Sequence, residues 1–181
     1  MTASVKQDNQ HQNWLGYLTY VELHAVGTVG GLLLVDRRAR PVEFHCSAPI
    51  LPSRTQEILY GRTLKSALLC DQIGKSLINQ LKQPPQLILT DEPLALPLRK
   101  LIEIPLALFV RENTLDDEAI ESDAENWTFE SGRNSVTIAR DATDDREVVR
   151  RTVREGRGVW DLSEPIERIR EAVQEAHRAA A

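Results

Sequence analysis

The residues of this chain best suited to chemistry are carboxylates near the ends of apolar runs. LILTDE closes on Asp91 and Glu92, and LTYVEL carries Glu22. Acids delivered to one end of a sheet can clamp divalent ions, whereas an acid just ahead of a helix caps its free N–H groups. Asp141, Asp144 and Asp145 form a further acidic group before the C-terminal helices. His24, His45, Cys46 and Cys70 are the soft-metal or nucleophile candidates. Zinc ligands usually come as closely spaced pairs, a pattern missing here. His45 and Cys46 are neighbours in an alternating strand and point to opposite faces, so Cys46 needs a base from elsewhere, such as His24. The plainer account puts both histidines at the sheet surface and both cysteines in the core as free thiols.

The elements that must position these groups lie mostly between residues 14 and 110. WLGYLTYVELHAV alternates as a strand, with Tyr17, Thr19, Val21 and Leu23 on one face and Leu18, Tyr20, Glu22 and His24 on the other. Gly27, Gly30 and Gly31 predict a turn; their spacing does not match a dinucleotide loop, and a strand, GLLLVD, follows. The short connection RRARP leads into PVEFHCSAP, with Val42, Phe44 and Cys46 facing one way and Glu43 and His45 the other. Ser53 and Gln56 form a capping box for a short helix through Tyr60, closed by Gly61. Leu64, Leu68, Leu69, Ile73, Leu77, Ile78 and Leu81 then make one helical stripe, in which Gly74 marks close packing. Pro84 and Pro85 stop that helix, QLILT reads as a strand, LALPLRKLIE as a short helix over 94–103, and IPLALFV as a further strand.

An antiparallel meander followed by helix, strand, helix, strand resembles the ribonuclease H-like superfamily, including the deoxyinosine-specific repair endonucleases. The resemblance covers about 27–110, with the strand at 17–26 added. It implies two divalent ions, Mg²⁺ or Mn²⁺, held by carboxylates from the first strand, the fourth strand and a later helix, for in-line phosphodiester cleavage. Carried onto this chain, those ligands are Glu22, Asp91 with Glu92 beside it, and an acid before the C-terminal helices such as Asp145.

Beyond Val110 the character changes. Seven carboxylates fall between Glu112 and Glu125, the composition of an acidic loop or linker, here 111–126. WTFES and SVTIARD resemble a hairpin, and two helices follow at about 144–155 and 164–178. Arg37, Arg38 and Arg40 on the RRARP tip, and Arg146, Arg150, Arg151, Arg154 and Arg157 near one side of the first of these helices, can hold phosphate or pair with nearby acids. Ile166, Ile169, Val173 and Ala176 line one stripe of the last helix, and Trp160 precedes it as an anchor.

Composition limits the rest. A net charge of −5 and a pI near 5.4 disfavour general binding to a phosphate backbone, and two cysteines make no disulfide framework. Residues 1–13 are polar and lack the apolar middle of a signal peptide, and no run approaches a membrane span, so a cytoplasmic location is expected. The expected fold is α/β (or α+β), a 14–110 domain with a mixed five-stranded sheet, and a 127–181 hairpin and helices packed on it or on a partner. The leading functional expectation is a non-catalytic protein-interaction module, without cofactor, that binds a protein partner or a second copy through Arg150, Arg154, Trp160, Ile166, Ile169 and Val173. A divalent-metal-dependent nuclease using Glu22, Asp91 and Glu92, with Asp145 as third metal ligand, is the alternative.

Overall fold

The computed structural model describes residues 14–111, 126–131, 134–139, 142–156 and 161–180. Three antiparallel strands come first, β1 (Leu15–Leu23), β2 (Gly27–Val35) and β3 (Pro41–Cys46). Helix α1 (Arg54–Tyr60) opens on the expected capping box, the Gln56 amide donating to Ser53 Oγ and the Ser53 amide to Gln56 Oε1. Helix α2 spans 64–79 and widens to a π turn over Leu68–Gly74. Its expected apolar stripe is buried at Leu68, Leu69, Ile73, Leu77 and Ile78. Gly74 sits in the widened turn beside Leu98 and the Tyr20 hydroxyl, which itself donates to the Leu69 carbonyl at 3.1 Å.

Strand β4 (Leu87–Thr90) lies parallel to β1, and β5 (Leu106–Arg111) parallel to β4. The connection between them differs from the expected α-helix. It is a 3₁₀ segment, Pro93–Leu101, because Pro93 and Pro97 carry no N–H to donate and tighter i to i+3 turns suit so short a stretch. The hairpin β6 (Asn126–Ser131) and β7 (Asn134–Ala139) forms as expected, but joins the main sheet through β5 and β7. The sheet is therefore seven-stranded, in the order β3-β2-β1-β4-β5-β7-β6, rather than five-stranded. Helices α3 (Asp145–Gly156) and α4 (Glu164–Ala180) complete the chain.

Each sheet face carries its own apolar layer. Leu15, Tyr17, Leu33, Leu87, Leu89 and Phe109 meet residues of α3 and α4, and Leu18, Leu32, Leu34, Ile88 and Leu106 meet α2 and Leu98. Burial pushes the phenols of Tyr17 and Tyr20 well above the usual range. No helix among the described residues is long and apolar enough to cross a membrane.

Two expectations about β2 and β3 are corrected. Gly27, at φ 118°, is the turn glycine. Gly30 and Gly31 lie instead inside β2, where they thin the sheet on opposite faces. A Cβ on Gly30 would overlap Ile73 of α2, and one on Gly31 would overlap Ile169 of α4. Strand β3 keeps the expected alternation with the opposite burial. Val42, Phe44 and Cys46 are exposed while Glu43 and His45 are half-buried, because β3 is an edge strand. A groove of ≈ 660 Å³ remains over it, lined by Leu33, Phe44, Arg168 and Ile169 among others.

Gly31→Ala should lower unfolding free energy by roughly 1–3 kcal/mol, since the added methyl forces α4 outward from a close-packed layer. Urea denaturation followed by circular dichroism measures this, and a loss near zero would contradict the close contact.

Candidate functional site at the end of the sheet

Strands β1 and β4 pair with Tyr17 beside Leu89 and Leu18 beside Thr90. One residue further along, Thr19 meets Asp91, and the Thr19 hydroxyl donates to Asp91 Oδ1 at 2.7 Å. Arg170 of α4 donates to the other oxygen, Oδ2, in a close ion pair. One carboxylate thus ties together β1, the end of β4 and α4. The Arg170 side chain is 41% exposed and Asp91 18%, so the pair sits at a rim that solvent reaches from one side. Glu167 stands 3.7 Å from the same guanidinium.

The other acids expected here go elsewhere. Glu22 lies three residues beyond Thr19, and alternation along β1 therefore sends it to the opposite face. There it pairs with Lys65 Nζ of α2 at 3.0 Å, and that hydrogen bond raises the Lys65 pKa. Glu92 takes the capping role, accepting the Leu94 N–H at 3.1 Å ahead of the 3₁₀ segment. Asp145 is 2% exposed and gripped by both arms of Arg99, with Nη2 to Oδ1 at 2.9 Å and Nε to Oδ2 at 2.5 Å. Arg99 also donates to the Ile102 carbonyl at 2.8 Å, which fixes the turn into β5. Among the described residues, no three His, Cys, Asp or Glu side chains gather to hold a metal ion. The described residues do not fit the two-ion centre, because Glu22 pairs with Lys65 on the other face, Asp145 pairs with Arg99, and Asp91 faces the cationic Arg170.

The histidines and cysteines do not converge either. His24 is exposed in the β1–β2 turn, and His45 Nε2 lies 2.6 Å from Glu43 Oε1. That bond, aided by the Lys82 amide, holds the Glu43 carboxyl below its usual range. Cys46, expected in the core, is exposed on the edge strand. Cys70 is buried, its Sγ 3.5 Å from the Leu94 carbonyl, and burial pushes its thiol pKa up.

Of the residues expected to meet a partner, Ile166, Ile169 and Val173 are buried in the chain's own core. Arg150 pairs with Glu147 at 2.8 Å, and Arg154 is exposed. Trp160, Arg157, Asp141 and the acidic 112–125 stretch lie outside the described residues. Arg40 at the RRARP tip pairs with Asp36 at 2.6 Å, which also accepts the Arg38 and Arg40 amides. These bonds, led by the Arg40 side chain, hold the Asp36 carboxyl below its usual range.

Sequence reasoning missed Thr19 and Arg170. The missing signal was the β1–β4 register, which alone tells which face of β1 adjoins Asp91.

No family model matches the chain, nor does any curated protein. Solved structures do match. Human ENDOV is 13% identical, with a TM-score of 0.51 over 95% of this chain and 87% of its own. The catalytic domain of human endonuclease V matches at 13% identity and a TM-score of 0.49, over 94% of this chain and 85% of that one. A Ciona intestinalis endonuclease V variant bound to a 23mer DNA, containing an inosine followed by a ribo-adenosine, matches at 11% identity and 0.48, over 93% and 87%. The chain shares its overall fold with human ENDOV. This corrects the leading expectation of a non-catalytic protein-interaction module, since the fold shared with human ENDOV spans nearly the whole chain and the stripe expected to meet a partner is buried in the chain's own core.

Two outcomes follow from the site's electrostatics. Asp145→Ala leaves Arg99 without its carboxylate in a mostly buried setting and should cost ~3 kcal/mol in urea denaturation. Glu43 has a depressed folded pKa, so its contribution is present above the unfolded carboxylate value, about 4, and is lost as pH falls through the folded value. Glu43→Gln should therefore flatten the acid limb of a Tm-against-pH profile; an unchanged limb would assign the acid sensitivity to other groups.

Proposed function

We propose that this chain works on nucleic acid, and that the sheet end around Asp91 and Arg170 is the surface that meets the phosphodiester backbone. The observation that carries the reading is the extent of the likeness. The fold shared with human ENDOV takes in 95% of this chain, so it reaches the C-terminal hairpin and helices as well as the first five strands. The net charge of −5, which disfavoured nucleic acid in the sequence, is an average over the surface. Binding depends on local placement of cations.

At the sheet end two cations sit on opposite faces, Arg170 at Asp91 and Lys65 at Glu22, with their side chains 41% and 53% exposed. A guanidinium has five N–H donors, and Asp91 and Glu167 do not use them all. Arg170 can therefore hold its carboxylate and still present N–H groups to a phosphate oxygen. Lys65 supplies a second point charge for a strand passing over the edge. These residues bind and orient. Glu22, Asp91 and Asp145 each lie beside a cation of the chain itself, Lys65, Arg170 and Arg99, which supports a binding and orienting role over the three-carboxylate, two-ion centre that the resemblance implies.

Fluorescence anisotropy with labelled single-stranded and duplex DNA and RNA, one set containing inosine, tests the reading. Binding is expected, weakening as salt rises from about 50 to 200 mM. Arg170→Ala together with Lys65→Ala should lower affinity several-fold and reduce the salt slope by about 2. Absence of binding to all probes at low salt would overturn the proposal, and gel analysis of the same samples with and without Mn²⁺ reads cleavage directly.

A further inference from the structure

The place where a ribonuclease H-like protein would gather ligands is built here, with different chemistry. A first-strand residue, the end of the fourth strand and a later helix do converge, as Thr19, Asp91 and Arg170. Three acids around a cation have become one acid, one hydroxyl and a cation that belongs to the chain. We propose that the Arg170 guanidinium is a tethered cation standing where a divalent ion would stand, so that Asp91 anchors α4 to the sheet and does not serve as a metal ligand.

Three observations converge on this. Both Asp91 oxygens have protein donors, which take up about two of the roughly four lone-pair sites of the carboxylate. The arginine puts a fixed positive charge against the carboxylate, and a divalent ion approaching the same oxygens must overcome that repulsion at short range in a partly desolvated site. The segment that carries Arg170 is also held rigidly. Ile166, Ile169 and Val173 are buried in the sheet's apolar layer, and Gly31 has no Cβ to keep Ile169 away. Packing on either side thus fixes the stretch of α4 backbone that carries Arg170 beside the end of β4.

The cation also replaces a function of the ion it displaces. An acid at a strand end with no counter-charge would be costly so near two apolar layers. A bound metal solves this reversibly and only when supplied, whereas Arg170 solves it permanently. Folding of this sheet end should therefore be indifferent to divalent ions.

The test uses the whole chain without nucleic acid, so this inference and the nucleic-acid reading fail independently. Thermal unfolding of the wild type in EDTA and in millimolar Mn²⁺ should give the same Tm. In EDTA, Asp91→Asn and Arg170→Met should each lower Tm, and the double variant should fall no further than the worse single one, the mark of a coupled pair. Arg170→Asp should unfold earlier in EDTA and regain stability with Mn²⁺, a gain removed by adding Asp91→Asn. If that variant does not fold, Mn²⁺ line broadening in amide NMR of the wild type decides the matter. Uniform, weak broadening supports the proposal. Selective loss of the Asp91 and Glu92 signals, or a Mn²⁺-dependent rise in wild-type Tm that Asp91→Asn abolishes, would overturn it.

Discussion

The parallel pairing of β1 with β4 is the constraint on which the rest of this structure depends. With Tyr17 beside Leu89, alternate residues of both strands face the same layer, so that Leu15, Tyr17, Leu87 and Leu89 form a continuous floor for the C-terminal helices. The intervening residues Leu18 and Ile88 make the opposite floor, on which α2 packs. A slip of one residue would turn every one of these side chains to the wrong layer. The same register carries Thr19 to Asp91 and leaves Glu22 on the far side with Lys65. Core and candidate site are thus two consequences of one alignment.

Close packing on both faces of β2 reinforces it. Consecutive glycines, Gly30 and Gly31, thin the sheet where α2 and α4 cross it from opposite sides. The cost is the loss of two side chains from a strand interior. The gain is that Ile73 and Ile169 reach the backbone, which brings α4, and Arg170 with it, against the end of β4. The apolar stripe on α4 suits a partner as well as it suits the chain's own sheet. Its occupation by the sheet makes the C-terminal helix part of the molecule's own architecture.

The carboxylates described at the sheet end all have partners inside the chain, Asp91 in Thr19 and Arg170, Glu22 in Lys65, Glu92 in the Leu94 amide, and Asp145 in Arg99. Each pairing spans two elements or fixes a turn, so the acids expected to bind metal together are spread out as structural ties.

Much of the architecture was legible in the residues themselves. The alternation of β1, the Ser53 and Gln56 capping box, the α2 stripe and the hairpin near the end are local patterns, and local patterns follow from the periodicity of a strand or helix. Even the two faces of β1, with Thr19 and Glu22 on opposite sides, could be read from parity. Periodicity says nothing about which strand lies beside which or at what offset. Periodicity alone therefore joins Glu22 to Asp91 in the expected site and keeps the hairpin outside the expected sheet. The burial of β3 was inverted for a related reason, since Val42, Phe44 and Cys46 are apolar but belong to an edge that no helix fully covers. By itself the sequence determined the elements, their order and the carboxylate at the end of β4. Only the tertiary structure decided what that carboxylate meets, because the meeting of Thr19, Asp91 and Arg170 depends on contacts across 72 and 79 residues of chain, set by register and packing.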